Sequence, residues 1–320
     1  MEIEKIKEHI DDVLIETDFK NLGDRKIGKV RDVYTAKNHV VLISTDRHSS
    51  FDRNIAFIPF KGEILNQISL FWFDQTKDII QNHILNTPDP NVVVVKKCKP
   101  LPIECVMRGY ITGVTGTSLW TLYKEGKRDF GDFKLPDEMK KNQKLSEPIF
   151  TPTTKSDEHD RPVSLKEIVS EGLLSKEMTD EVAKTAKALF KRGQEIAAKH
   201  GLILVDTKYE FGIDENGKLT LIDEIHTPDS SRYWKKATYE ERFKKGEEPE
   251  YFDKEFLRLW FKENCDPYKD KVLPKAPAEL VAELSRRYIE IYETITGKPF
   301  NHDFSKPILE RITNNVSKIK

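Results

Sequence analysis

Five charged side chains in one short stretch could carry chemistry: Asp206, Lys208, Glu210, Asp223 and Arg232, within LILVDTKYEFGIDENGKLTLIDEIHTPDSSRYW at 202–234. Asp206, Lys208 and Glu210 alternate along a run rich in β-formers, and Asp223 stands in a second such run, Lys218 to Ile225. Asp214-Glu215-Asn216-Gly217 is a turn signal between them, and Asn-Gly is the favoured pair of a type I′ hairpin loop. Counting outward from that loop pairs Glu215 with Lys218 and sets Glu210 directly opposite Asp223. Asp206 and Lys208 fall on the face of Glu210. Opposed Cβ atoms lie about 5 Å apart, and like charges there destabilise a sheet. A hard cation between the carboxylates removes the repulsion. Mg²⁺ is held in this way, by one or two carboxylates with substrate phosphates completing the octahedron. Acids on an exposed hairpin are ordinarily just solvated. Here the strands are otherwise apolar (Leu202, Ile203, Leu204, Val205, Leu219, Leu221, Ile222), and the hairpin runs into Pro228-Asp229-Ser230-Ser231-Arg232, ending on a fork-shaped anion ligand.

The elements that must position these groups follow from periodicity. Residues 2–16 read as a helix with Ile3, Ile6, Ile10, Val13 and Leu14 on one stripe. Lys26 to Tyr34 and His39 to Ser44 read as a hairpin turning at 35–38, followed by a polar loop at 44–52. Helices are expected at 61–80, at 180–199 with Thr179 as cap and Gly201 as stop, at 253–263 and at 277–296. Val92 to Val95 and Ile103 to Met107 read as strands, and 126–162 as a long functional loop. Antiparallel hairpins set apart from helices argue for an α+β fold. The expected division is 1–107, an N-terminal α+β subdomain; 108–265, a central α+β subdomain with the metal and substrate site; and 266–320, a helical segment packed on the core.

Composition narrows the partners. The 320 residues suffice for a full core, with 38% hydrophobic and 33% charged residues. Lys plus Arg is 53 and Asp plus Glu is 54, a net charge of −1, which gives no electrostatic reason to expect nucleic acid or an anionic membrane. Cys98, Cys105 and Cys265 form no CxxC pair, so neither a disulfide framework nor a zinc motif is expected, and a reducing cytoplasm fits. The acidic N-terminal stretch is not a signal or transit peptide. No apolar run approaches the roughly 18 residues that span a bilayer. A monomer or a homo-oligomer is equally compatible.

Other stretches could bind anions. In Gly28-Lys29-Val30-Arg31-Asp32-Val33-Tyr34 a glycine lets backbone N–H groups approach phosphate oxygens, and Lys29 and Arg31 on one strand face would neutralise them. Edge strands also carry such residues simply to prevent aggregation. Walker, GxGxxG, GxSxG and HExxH patterns are absent. Glu104 to Tyr110 is a strand ending on Arg108 before the Thr115-Gly116-Thr117-Ser118 loop, a setting that suits a phosphate monoester or a plain surface turn. Thr151 to Asp160 is a wholly polar run, either a solvated loop or a closing substrate loop.

Taken together, these segments resemble the SAICAR synthetase family. The matching pieces are GKVRDVY at 28–34, STDRHSSFD at 44–52, ECVMRGYITG at 104–113, TPTTKSDEHD at 151–160, LVDTKYEFG at 204–212 and LIDEIHTPDSSRYW at 221–234. They stand in family order across most of residues 25–235.

The resemblance implies a SAICAR synthase-like fold related to ATP-grasp, with antiparallel sheets and flanking helices. It implies that the glycine loop Gly28-Lys29-Val30-Arg31 covers ATP, with Lys29 and Arg31 near its phosphates, and adenine near the strand ending at Arg108. Mg²⁺ is implied at Glu210 and Asp223, and Asp206 and Lys208 are implied to face the reacting centre. Arg108 and Arg232 map to the grip on a ribotide phosphate. The family serine six residues after the arginine is Val114 here, so Ser118 takes that role through an insertion. Ser49 and Asp52 belong near the imidazole or the amino acid, and Lys155, His159, Asp160 and Ser230 to the substrate set. The reaction implied is ATP, carboxyaminoimidazole ribotide and L-aspartate giving SAICAR, ADP and phosphate through an acyl phosphate. A small-molecule kinase of related fold and a non-catalytic nucleotide sensor are the rivals. Strict dependence on aspartate separates the first, and the complete set Lys208, Glu210 and Asp223 argues against the second.

Overall fold

A computed structural model describes residues 1–51, 53–114, 118–155, 161–252 and 255–319. Among these the chain forms two compact units: residues 1–71, 83–97 and 252–320 make unit one, and residues 72–82 and 98–251 make unit two. Neither boundary coincides with the three consecutive segments expected from sequence. The hairpin at 84–96 hydrogen-bonds into the first sheet, so it belongs to unit one. The strand containing Met107 pairs wholly within unit two.

Unit one is built on a five-stranded antiparallel sheet. Numbered in chain order, its strands are β1 (Asp24–Ile27), β2 (Arg31–Thr35), β3 (His39–Ser44), β6 (Ile84–Asp89) and β7 (Val92–Lys96), in spatial order β1-β2-β3-β7-β6. The polar segment at 44–52 is no mere loop, because β4 (Arg47–Ser50) pairs with β5 (Arg53–Phe57). Its helices are α1 (Ile3–Glu8), most of α2 (Lys61–Thr76), α7 (Glu255–Asn264), α8 (Ala278–Thr296) and α9 (Ile308–Val316). One core joins Leu14, Leu22, Tyr34, Val41, Ile43, Val92 and Val94 to Ile312 and Val316 of α9. Arg311 on α9 adds an ion pair to Glu63 at 3.2 Å and one to Asp89 at 3.2 Å.

Two sequence expectations fail here for identifiable reasons. The N-terminal helix stops at Glu8 instead of reaching residue 16. Beyond it, buried carboxylates capture N–H groups that a helix would use internally: Leu14 N–H donates to Asp46 at 2.7 Å and Thr17 N–H to Asp32 at 2.6 Å. The supposed strand Lys26 to Tyr34 is itself a hairpin. It turns at Gly28–Val30, where Gly28 N–H donates to Arg31 O at 2.8 Å, so Lys29 is a turn residue and does not share a strand face with Arg31.

Unit two holds a seven-stranded antiparallel sheet of β8 (Lys99–Pro100), β9 (Ile103–Ile111), β10 (Gln143–Phe150), β11 (Thr153–Thr154), β12 (Leu202–Ile213), β13 (Leu219–Ile222) and β14 (Ser231–Lys235). Its core order is β10-β9-β12-β13, with β11 on β9 and with β14 and β8 on β12. The region expected as loop at 126–162 therefore contributes β10, whose polar Gln143, Lys144 and Glu147 hid it. The helices are α3 (Leu119–Lys124), α4 (Leu165–Ser170), α5 (Lys176–Lys199) and α6 (Lys236–Lys245). α5 lies against β12 and β9 through buried Val182, Ala186, Leu189 and Phe190. Its cap is Ser175, whose hydroxyl accepts from Met178 N–H, while the expected cap Thr179 is buried and donates to Ser175 O at 2.8 Å. Among the described residues no helix is long and apolar enough to cross a membrane.

Candidate active site

Strand β12 organises the charged face. Along β12, Thr207, Tyr209 and Phe211 turn to one side of the sheet and Asp206, Lys208 and Glu210 to the other, while a bulge between Leu204 and Asp206 breaks the alternation and leaves Val205 packed with Tyr110, Trp234 and Tyr239. The inner side is fixed by burial and by Tyr209, whose hydroxyl meets His226 Nε2 at 2.5 Å. His226 is fully buried, rests edge-on against Trp72 and gives its carbonyl to the Tyr233 hydroxyl at 2.7 Å. Burial pushes its imidazole down to about 3, so it is neutral at physiological pH.

Asp206 sits at the middle of a row across three strands. Its Cα partners are Arg108 on β9 and Arg232 on β14. Arg232 Nη1 reaches Asp206 Oδ2 at 2.7 Å and Arg108 Nη1 approaches the same oxygen at 3.9 Å. Arg108 Nε donates to Thr151 Oγ1 at 2.9 Å. Burial lowers the Arg108 pKa, with Asp206 opposing the change and Arg232 adding to it. Two guanidinium groups that share one carboxylate keep N–H donors for a further anion.

The second row is formed by glutamates. The β9–β12 register pairs Tyr209 with Cys105, and one step further sets Glu104 beside Glu210. Lys208 bridges the two, with Nζ 2.7 Å from Glu104 Oε1 and 3.0 Å from Glu210 Oε1, and Lys155 pairs with Glu210 Oε2. Burial works against the Lys208 charge, but the carboxylates of Glu210, Glu104 and Asp223 outweigh it and hold its pKa above the usual range.

The expected opposition of Glu210 and Asp223 is not the observed register. Glu210 faces Ile222, and β13 ends there. The turn holds three residues, because the Asp214 carboxylate accepts from Asn216 N–H at 3.0 Å and Lys218 N–H at 2.9 Å while Gly217 takes a φ of +75°. Asp223 follows in a left-handed conformation, φ +68°, which re-aims it; its charge still bears on Lys208. Among the described residues no three His, Cys, Asp or Glu side chains form a metal cage. The carboxylates of Glu104, Glu210 and Asp223 around one lysine are still an all-oxygen set, which suits a hard cation that takes phosphate oxygens as its remaining ligands.

Ser118 caps α3 and is buried, and its hydroxyl lies 2.8 Å from Thr121 Oγ1. A Cβ built on Gly113 would lie 2.4 Å from Ser118 Cβ and 3.6 Å from Arg232 Nη1, so Ser118 and Arg232 flank the same glycine. Ser230 closes the turn before β14, its hydroxyl donating to Thr227 O at 3.4 Å. A cavity of about 730 Å³ adjoins this face, lined by Glu104, Arg108, Thr151, Thr153, Phe130 and Phe133 among others. The structure thus gathers Arg108, Asp206, Lys208, Glu210, Arg232 and Lys155 on one face, with Asp223 bearing electrostatically on Lys208. Gly28, Lys29, Val30, Arg31 and Ser49 lie in unit one, while Asp52, His159 and Asp160 lie outside the described residues. Sequence reasoning missed Glu104 and Thr151 as site residues. Glu104 was findable, since it shares its β9 face with Arg108 at period two.

The antiparallel α+β frame thus sets paired arginines and lysine-bridged glutamates beside a cavity, an arrangement able to grip a small anion. The family model for SAICAR synthetase matches residues 25–275. A phosphoribosylaminoimidazole-succinocarboxamide synthase of Legionella pneumophila (strain Paris) is 54% identical over 297 residues, covering 92% of this chain and 95% of that protein. The chloroplastic enzyme of the same name from Arabidopsis thaliana is 56% identical over 317 residues, covering 98% of this chain and 77% of that one. Among solved structures, the Saccharomyces cerevisiae SAICAR synthase complexed with SAICAR superposes with a TM-score of 0.78 at 32% identity, over 90% of this chain and 100% of that chain. A SAICAR synthetase in complex with ADP gives 0.66 at 26% identity, over 87% of this chain and 100% of that one. The chain belongs to the SAICAR synthetase family.

Proposed function

We infer that this protein ligates L-aspartate to carboxyaminoimidazole ribotide at the expense of ATP, giving SAICAR, ADP and phosphate in purine biosynthesis. The observation that carries the assignment to this face is the row Arg108–Asp206–Arg232 directly beside the Lys208-bridged glutamates. A carboxylate is a poor acyl donor. Its oxygen attacks the γ-phosphorus of ATP, ADP leaves, and the acyl phosphate is formed. The aspartate amine then attacks the carbonyl carbon, the C–O bond to phosphate breaks, and inorganic phosphate departs.

In this reading Arg108 and Arg232 grip the ribotide phosphate, with Ser118 and Ser230 alongside. Asp206 orients the two guanidinium groups. Lys208 neutralises charge that spreads over the phosphoryl oxygens as they move. Lys155, His159 and Asp160 complete the substrate set of this unit. Mg²⁺ held through Glu210 and Asp223 would offset the phosphate charge. In unit one the turn Gly28–Arg31 serves the ATP phosphates, and Ser49 and Asp52 the imidazole or the amino acid. Among the described residues Cys98, Cys105 and Cys265 form no disulfide, which suits a reducing cytoplasm.

The test is a coupled ADP-release assay with ribotide and aspartate omitted in turn. ADP release should require both. With oxygen-18 in the ribotide carboxylate, label should appear in the released inorganic phosphate. Unlabelled phosphate with SAICAR still formed would sink the acyl-phosphate route. A stable phosphorylated product formed without aspartate would establish the kinase reading instead.

A further inference from the structure

Arg47 lies in the stretch Ser44 to Asp52, yet its guanidinium faces inward. It is 3% exposed. Its Nη1 donates to Ile15 O at 2.6 Å, its Nη2 to Gly28 O at 3.1 Å and to Asp32 Oδ1 at 2.9 Å, and its Nε to Lys29 O at 3.3 Å. Asp32 is fully buried, and its other oxygen accepts from Thr17 N–H at 2.6 Å and Thr17 Oγ1 at 2.9 Å. Arg25 stands 3.5 Å from the same oxygen. Two residues before Arg47, Thr45 donates from its hydroxyl to Val30 O at 2.8 Å and from its N–H to the same oxygen at 3.0 Å. Three successive carbonyls, those of Gly28, Lys29 and Val30, are therefore held by Thr45 and Arg47.

The consequence follows from peptide geometry. In a trans peptide the carbonyl and the N–H point in opposite directions. Holding the Gly28 and Lys29 carbonyls on one guanidinium turns the N–H groups of Lys29 and Val30 away from it, side by side. Successive N–H groups turned one way form an anion-binding concavity. The turn also demands its glycine, because a Cβ at Gly28 would lie 2.9 Å from Arg31 O.

We propose that Arg47, anchored by Asp32, is a positioning residue that sets the Gly28–Arg31 turn in its phosphate-binding shape and makes no contact with substrate itself. The proposal rests on the assignment of that turn to the ATP phosphates. Asp32 supplies the counter-charge that lets a guanidinium be buried there. Thr45 holds the third carbonyl independently of charge.

Four variants test it in the full-length protein, read by calorimetric titration with Mg-ADP and by Michaelis constants for ATP, ribotide and aspartate. Arg47→Lys keeps the charge but not the fork, and should weaken nucleotide binding about tenfold, the loss of one or two hydrogen bonds to carbonyls. The constants for ribotide and aspartate should stay within about twofold, and kcat should change less than the ATP constant. Thr45→Val should weaken nucleotide about threefold and Thr45→Ser should restore it, which covers the case of a poorly folded Arg47 variant. Equal shifts of all three Michaelis constants, or lost thermal stability with unchanged nucleotide affinity in both the Arg47 and Thr45 variants, would overturn the positioning role. Lys29→Ala distinguishes the two levels. If it leaves nucleotide affinity unchanged, the assignment of the turn to phosphate fails, and the proposal with it. If it weakens nucleotide while Arg47→Lys and Thr45→Val do not, only the positioning role fails.

Discussion

Substituting Arg232 by lysine isolates the geometry of the arginine pair from its charge. Arg232 spends Nη1 on Asp206 at 2.7 Å, which leaves Nη2 and Nε to present a flat edge to an anion. A lysine at the same β14 position, still the Cα partner of Asp206, keeps the ion pair with its single ammonium. It then lacks the second, parallel donor for a phosphate oxygen. A hydrogen bond between charged partners is worth about 1.5–3 kcal/mol, so the Michaelis constant for ribotide should rise between about 10-fold and 150-fold. The constant for ATP should hardly move. Fold stability should change by less than about 1 kcal/mol, because the Arg232–Asp206 pair is partly solvated and charge is retained. Asp206→Asn made in the Arg232→Lys background frees the ammonium from its carboxylate, so it should recover part of the lost ribotide affinity. The assay is steady-state ADP release with each substrate varied in turn, accompanied by thermal unfolding. Equal rises in the ATP and ribotide constants, or an unchanged ribotide constant, would refute the assignment of this row to the ribotide phosphate.

Glu104→Gln removes a carboxylate 2.7 Å from Lys208, so the pKa of Lys208 should fall and kcat should drop at least about tenfold while ribotide affinity is retained; full activity would remove Glu104 from the site. Asp223→Asn keeps shape and loses one anionic oxygen, so turnover at limiting Mg²⁺ should largely vanish and saturating Mg²⁺ should restore part of it; near-normal turnover at limiting Mg²⁺ would exclude Asp223 as a ligand. His226 is held neutral down to about pH 3, whereas its unfolded counterpart takes a proton near 6.5. Its folded pKa is depressed, so the unfolded chain binds the extra proton and stability is lost as pH falls below about 6.5, at about 1.4 kcal/mol per pH unit. Urea unfolding between pH 7 and 5 should show that slope, and His226→Phe should reduce it by about one proton's worth.

The chemistry of β12 was legible because period two is a local signal, and Asp206, Lys208 and Glu210 do share a face. The partners across the sheet were not. Asp214 folding back on Asn216 and Lys218 lengthened the turn by one residue, and that shift put Ile222 opposite Glu210. The like-charge opposition foreseen for Asp223 falls instead to Glu104, about a hundred residues upstream, where no local pattern fixes the register. The same limit applies to Thr17 and Leu14. Their N–H groups are claimed by Asp32 and Asp46, so a helical stripe that looked sound to residue 16 ended eight residues earlier. Strand β10 escaped notice because Gln143, Lys144 and Glu147 made it read as loop.

The way the chain is threaded has a consequence for its synthesis. Unit one opens with residues 1–71 and 83–97 but is finished only by residues 252–320, after the whole of unit two has been made. Its sheet core needs Ile312 and Val316, and Glu63 and Asp89 need Arg311. On the ribosome, therefore, unit two has all of its residues while the first sheet still shows Tyr34, Val41, Ile43 and Val92 uncovered. At about 5–20 residues per second, that exposure lasts about ten seconds or more from the emergence of β7 to that of α9. Loss of α9 would remove Ile312, Val316 and Arg311 together and leave that core incomplete for good.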